Sequence, residues 1–239
     1  MAQSVKNLSA TPLGLYDVDG SYHVAGAMGG TATLNPDTAS AEIIGIYTSG
    51  GSATVETLTA PANTALPTIS GTARVGQVLT ASPGTWSGNP APTFTYQWQR
   101  GTTNISGATS ATYTAVTADA GQTLRVVVTA TNSQGNASAN SAATAAVTQI
   151  PANTVLPAIT GTAQVGQTLT ATNGTWTGSP TPTYTRQWKA DGADISGATA
   201  TTYVPVSGDV GKVITVTVTA TNSAGNANAT SAGTAAIAA

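Results

Sequence analysis

Residues 61–149 and 151–239 are one sequence written twice at a fixed offset of 90, without a gap. Pro61-Ala-Asn-Thr-Ala-Leu-Pro67 returns as Pro151-Ala-Asn-Thr-Val-Leu-Pro157, and 52 of the 89 aligned positions are identical. Solenoid units run roughly 20–50 residues, so this period is too long for a solenoid and matches one whole small β-domain. The repeat therefore predicts two complete domains, 61–150 and 151–239, behind a different N-terminal segment, 1–60. Function divides in the same way: what the repeated module does, and what the unique segment attaches it to.

The surface of such a chain is unusual. Charged residues are 7% of the sequence, against an apolar fraction of 40%, which is too apolar for a disordered polar chain. Residues 1–60 hold Lys6 against Asp17, Asp19, Asp37, Glu42 and Glu56, while repeat one carries a small positive balance and repeat two none. Without a basic patch, nucleic-acid binding is not expected. Cysteine is absent, which removes disulfides, thiol catalysis and zinc-thiolate sites together. The N-terminus has one lysine and no apolar run of seven, unlike a Sec signal peptide. No stretch approaches the ~20 apolar residues of a membrane-spanning helix. We read this as a protein that stays in the cytoplasm where it is made, or leaves by another route, without membrane insertion.

Turn residues punctuate the whole chain, and Val, Thr, Tyr and Trp fill the runs between them, a β pattern. Strands are expected from about Arg74 to Ala81, over Thr93–Arg100, over Ala111–Val116 and over Thr123–Asn132, with their counterparts in repeat two. Val126, Val128 and Ala130 share one parity, as do Val216, Val218 and Ala220. Alternation sends that set to the core and sends Arg125 and Thr215 outward. Trp98 and Trp188 lie mid-strand and are read as structural core. Trp86 and Trp176 sit in Gly-Thr-Trp-(Ser/Thr)-Gly, read as a turn before a proline-rich loop; they either pack over the end of the sandwich or, as the candidates for surface binding, meet a ligand.

The order G-x-x-L-x-A, P-x-P, Y-x-W and D-x-G before a valine-rich strand resembles an immunoglobulin-like domain. Its strand tryptophan is kept at Trp98 and Trp188, whereas Ala81, Ala171 and valines of the later strand stand near the family's cysteines. The usual corner tyrosine is missing after Asp119-Ala-Gly121. The pattern VGQ-x-LTA…GTW…QW…ISGAT…VTATN is similar to the cysteine-free immunoglobulin-like repeats of bacteria and bacteriophages, over about 179 residues. The resemblance implies an all-β protein: a small β-rich N-terminal domain and two tandem immunoglobulin-like β-sandwiches.

In the N-terminal segment, alternating apolar residues flank Asp19-Gly20 in a hairpin pattern, and AEIIGIYTSGG and ATVETLTA give two further strands. So small a unit is marginal alone, so it is expected to complete its core against a partner; Ile43, Ile44, Ile46 and Tyr47 are the candidate anchoring interface or, alternatively, an ordinary internal strand.

Catalysis is not expected. His23 is the only histidine, no nucleophile elbow accompanies it, and Gly26-Ala-Met-Gly29-Gly30 lacks the helix a phosphate loop needs. Asp191, Asp194 and Asp209 could suggest calcium, but repeat one shares only Asp119. Asp119 and Asp209 are read as turn-fixing residues. No cofactor or metal is expected. The resemblance and the layout together point to a bacteriophage virion protein, a capsid decoration or head-fibre subunit assembled in the host cytoplasm. Its partners would be the viral capsid or other virion proteins, with self-association as a trimer, and its modules would adhere weakly to cell-surface carbohydrate. The alternatives are a tail or baseplate protein and a bacterial surface adhesin or carbohydrate-binding module.

Overall fold

The structure is a computed structural model that describes residues 58–239 in full and, by backbone alone, five strands before them. These are β1 (Gln3–Asn7), β2 (Leu13–Tyr16), β3 (Tyr22–Ala25), β4 (Thr31–Leu34) and β5 (Ala53–Thr57). Strand β1 is the centre of an antiparallel sheet ordered β4-β1-β5. Strands β2 and β3 pair antiparallel from Leu13↔Ala25 to Tyr16↔Tyr22, the pairing that the alternation on either side of Asp19-Gly20 predicts. Ile43, Ile44, Ile46 and Tyr47 lie outside the described residues.

The first sandwich contains β6 (Thr59–Ala65), β7 (Thr68–Ser70), β8 (Val78–Ser82), β9 (Thr85–Asn89), β10 (Thr93–Arg100), β11 (Thr103–Asn104), β12 (Thr112–Thr114), β13 (Leu124–Asn132) and β14 (Gly135–Asn140). One sheet is ordered β12-β8-β7 and the other β11-β10-β13-β14, with β6 and β9 forming a two-stranded ribbon. The second sandwich repeats this with β15 (Gln149–Val155), β16 (Ile159–Thr160), β17 (Leu169–Ala171), β18 (Thr175–Ser179), β19 (Thr183–Ala190), β20 (Ala193–Asp194), β21 (Thr202–Tyr203), β22 (Ile214–Asn222) and β23 (Gly225–Thr230). Two facing antiparallel sheets in this order, with a tryptophan in the middle of the third core strand, are an immunoglobulin-type β-sandwich. The chain is all-β, its only helical turns among the described residues being 3₁₀ turns at Thr117–Asp119 and Ser207–Asp209.

Strand parity builds the core. Along β13 the burial alternates so that Leu124, Val126, Val128 and Ala130 are fully buried, and Ile214, Val216, Val218 and Ala220 repeat this on β22. Strand β10 pairs with β13 over its whole length, placing Trp98 opposite Val126. Trp98 packs with Leu79, Ala81, Leu124 and Val126 in one buried cluster, and Trp188 with Leu169, Ala171, Ile214 and Val216 in the other. Ala81 and Val126 thus fill with hydrocarbon the ground between the sheets, and at ~25 cal/mol per Å² such burial is the main stabilising term available without cysteine.

Two sequence expectations are corrected. The Gly-Thr-Trp-(Ser/Thr)-Gly segments are not turns: Thr85–Asn89 is a strand that pairs with Thr59–Ala65 through a bulged register, as Thr175–Ser179 does with Gln149–Val155. The leading glycine makes the bend: Gly84 is at φ +77° and Gly174 at φ +71°, and a Cβ there would lie 2.2 Å from the carbonyl oxygen of Ala65 or Val155. The strand placed from Arg74 begins instead at Val78, and Arg74 forms an isolated parallel bridge with Thr148. The gap between them is a Val75-Gly76-Gln77 turn, in which the Gln77 amide bonds the Arg74 carbonyl at 3.0 Å.

Each sandwich is entered at one end and left at the other. Asn132, at the end of β13, donates from Nδ2 to the Thr59 carbonyl at 2.9 Å and the Pro90 carbonyl at 2.7 Å, fixing the entering ribbon. At the far end of that nine-residue strand, Val147 exchanges backbone bonds with Gly121 and Gln122, and Thr148 with Ala73 and Val75. At ~3.4 Å per residue the strand separates entry from exit by roughly 30 Å. Gln149, the next residue, is already the first of β15, and its carbonyl is held by Asn222 Nδ2 at 2.8 Å. No linker residue lies between Thr148 in one sandwich and Gln149 in the next.

Candidate binding surface

The tryptophans fall into two environments. Trp98 and Trp188 are 0% exposed. Their indole N–H groups donate at 2.9 Å to the carbonyls of Ser110 and Ala200, which satisfies the one polar atom that each ring buries. Tyr113 stacks on Trp98 with centroids 5.6 Å apart, and Tyr203 lies 5.7 Å from Trp188. Gln97 and Gln187 donate to the carbonyls of Ile105 and Ile195, pinning the shared Ile-Ser-Gly-Ala-Thr loop beside the tryptophan strand.

Trp86 and Trp176 are half-buried. Their ribbon strands present the rings toward the sandwich, and each Nε1 donates at 2.7 Å to a carbonyl three residues back, Pro83 or Asn173. Trp86 is tilted against Phe94 at 6.1 Å, and Trp176 against Tyr184 at 6.3 Å. In the first sandwich Trp86, Phe94 and Tyr96 all pack against the buried cluster. In the second, Arg186 stands where Tyr96 does, and its Nη2 donates to Asn173 Oδ1. The two candidate surfaces are therefore unlike: an aromatic group in repeat one, an aromatic ring beside a guanidinium in repeat two.

A second divergence lies at the other end of the same strand. Asp119 is 0% exposed. Its Oδ2 accepts from Tyr113 Oη and the Val116 amide, each at 2.8 Å, and its Oδ1 accepts from Arg100 Nε at 2.7 Å, with Arg100 Nη2 at 2.6 Å. Asp209 keeps the tyrosine at 2.6 Å and the amide of Val206 at 3.0 Å, but Ala190 replaces the arginine. Burial pushes the hydroxyls of Tyr113 and Tyr203 up to about 12, with the adjoining carboxylate adding to it. These carboxylates close a 3₁₀ turn. Among the described residues no group of three or more His, Cys, Asp or Glu could hold a metal ion.

An open depression of about 410 Å³ lies over the Ile-Ser-Gly-Ala-Thr loop of repeat one, lined by Ile105, Ser106, Thr109, Ser110, Thr112 and Tyr113 among others. Its lining is uncharged, rich in hydroxyls and bounded by one ring. Where the sandwiches meet, Arg74 Nη1 approaches the Ala224 carbonyl at 3.4 Å, which brings the exit end of repeat one to the β22–β23 turn of repeat two. The Arg100–Asp119 and Arg186–Asn173 pairs are absent from the sequence expectations. Aligning the repeats residue by residue exposes them: Arg186 and Asn173 replace Tyr96 and Pro83 together, whereas Arg100 gives way to Ala190 while its aspartate is kept.

No family model matches the chain, and no curated protein does. Among solved structures the chain is similar to tandems of Ig domains. A three-Ig stretch of titin carrying an E-to-A mutation is 12% identical, covering 99% of this chain and 87% of that one, at a TM-score of 0.40. A second stretch of titin domains is 18% identical over 98% and 88% of the two chains, at a TM-score of 0.35. The N-terminal four Ig domains of a Dscam1 isoform are 15% identical over 98% and 65%, at a TM-score of 0.36.

Proposed function

We propose that this protein is a non-enzymatic structural subunit of a bacteriophage particle. Residues 1–60 anchor it to the capsid as a self-associating unit, most simply a trimer, and the two sandwiches are held outward as a decoration or head-fibre arm. The observation that carries this reading is the joint: entry and exit at opposite ends of each sandwich, with Thr148 and Gln149 contiguous. A chain so joined projects its modules in line, and a spacer or display arm uses that geometry, whereas an enzyme cleft does not. The nearly uncharged Thr, Ser and Asn surface supports it, since such modules carry no obligatory charged docking face. Weak adhesion to cell-surface carbohydrate is the role assigned to the displayed modules.

Co-sedimentation with empty shells of the parent particle tests the polarity. Residues 1–58 should pellet with the shells and 59–239 should stay in solution. Because the attachment is apolar, moderate salt should not release it. If the sandwiches bound and the N-terminal segment did not, the reading would be reversed.

A further inference from the structure

The inward-facing positions of β10 and β19 are Phe94, Tyr96, Trp98 and Arg100 in one sandwich and Tyr184, Arg186, Trp188 and Ala190 in the other. The change from Tyr96 to Arg186 sets a permanently charged guanidinium beside the half-buried Trp176. Asn173 joins the two: its carbonyl accepts from Trp176 Nε1 at 2.7 Å, and its side-chain oxygen accepts from Arg186 Nη2. Repeat one has Pro83 in that place, which offers the tryptophan a carbonyl but has no side-chain acceptor for a cation. The polar pair has replaced an apolar pair as a unit.

The pair leaves a donor over. Arg186 Nε is buried with no hydrogen-bond partner. That nitrogen is enclosed, so the part of the side chain left to meet a ligand is the outer edge of the guanidinium and not Nε. The carboxylates of this sandwich are engaged elsewhere: Asp194 with Lys189 at 2.9 Å, Asp209 with Tyr203 and the Val206 amide, and Asp191 with the Val213 amide at 2.9 Å. Arg186 thus presents a cation without a carboxylate of its own among the described residues, while the residue as a whole remains partly exposed. Guanidinium donors are matched in plane by a carboxylate. The adjoining Trp176 ring offers a flat apolar face, and Asn173 an amide that can exchange hydrogen bonds with hydroxyls.

We infer that Trp176, Arg186 and Asn173 form a subsite on the second sandwich for a carboxylate-bearing saccharide. The guanidinium takes the carboxylate, the amide takes a hydroxyl, and the indole takes the C–H face of the sugar ring. The first sandwich, with Pro83 and Tyr96, lacks the subsite, so the two modules differ in ligand charge. This rests on the adhesive part of the reading above and makes it specific.

Titration of the full chain with tetragalacturonate, followed by tryptophan fluorescence and by chemical shifts of the indole N–H groups, tests it. Saturable change at the Trp176 indole is expected, with a neutral tetrasaccharide and tetraglutamate each binding at least tenfold more weakly. Arg186→Tyr, which installs repeat one's own residue, should weaken uronate binding at least tenfold. Asn173→Pro with Arg186→Tyr recreates the whole apolar pair and, with an unchanged unfolding midpoint, separates lost binding from lost folding. Equal binding by Arg186→Tyr, equal binding of the neutral sugar or the acidic peptide, or a silent titration to tens of millimolar would each overturn the subsite. Shell attachment by residues 1–60 does not involve these residues, so that failure would leave the display reading standing.

Discussion

Arg100 Nη2 lies 2.6 Å from Asp119 Oδ1, and the arginine meets a carboxylate that is 0% exposed, while Ala190 occupies the same place beside Asp209. The second sandwich demonstrates that the tyrosine and the turn amide suffice to keep the carboxylate inside. Arg100→Ala should therefore cost repeat one only about 1–3 kcal/mol, the scale of a charged hydrogen bond. Asp119→Ala removes the acceptor for Tyr113, Val116 and Arg100 together and should cost about 3–5 kcal/mol. Urea unfolding of the 59–239 fragment measures both. Equal losses would mean that the arginine, not the carboxylate, is the centre of the node.

The same node sets the response to alkali. The hydroxyls of Tyr113 and Tyr203 are raised to about 12 from the ordinary 10, first by burial and then by the neighbouring carboxylate. A raised folded value means the fold favours the neutral form. That part of the stability is whole below pH 10 and is lost as pH climbs through about 12. Unfolding free energy should fall over that window, and Tyr113→Phe with Tyr203→Phe should flatten the fall. A fall of the same size in the double variant would assign it to other groups.

Emptying the core sites should separate the two kinds of tryptophan. Trp98→Ala and Trp188→Ala should each cost about 3–5 kcal/mol, and Trp86→Ala clearly less, since its ring is only half-buried. Gly84→Ala should be destabilising out of proportion to one methyl group, because the Ala65 carbonyl oxygen occupies the space a Cβ needs. Thermal unfolding of the four variants checks the order, and Trp86→Ala matching Trp98→Ala would contradict it.

What could be read from the sequence followed the size of the side chains. Thr93–Arg100 carries aromatic residues at alternate positions, and its strand limits coincide with those expected. Leu124–Asn132 differs by a single residue, and its valine parity reports the buried face directly. The ribbon of Thr59–Ala65 with Thr85–Asn89 is hidden, because apart from Trp86 its residues are small or polar (Thr, Ala, Pro, Asn, Ser and Gly) with little alternation, and its pairing spans some 25 residues. Gly135–Asn140 and its copy were missed for the same reason, since small residues bury a strand edge without announcing it. Of the candidate site, the half-buried Trp86 and Trp176 were legible as ring residues between glycines. Arg186 was not, because an arginine in an alternating strand reads as a solvent-facing residue until its counterpart Tyr96 is set beside it.

The joint between the sandwiches should behave as a short, restrained hinge. Thr148 and Gln149 are bonded into different sandwiches, so residues 59–239 should scatter as an elongated pair. Asn222→Ala, which releases the Gln149 carbonyl, should broaden the distribution of inter-domain distances measured by spin labels. A compact side-by-side pair in small-angle scattering would contradict the in-line arrangement.

Cryo-electron microscopy of the particle that carries the protein tests the central claim most directly. We expect residues 1–60 as an oligomeric foot on the shell and two sandwich densities stacked outward from it, repeat one nearer the surface than repeat two. Sandwiches lying flat on the shell with the N-terminal segment outermost, or a particle whose shell and appendages lack the protein, would contradict it.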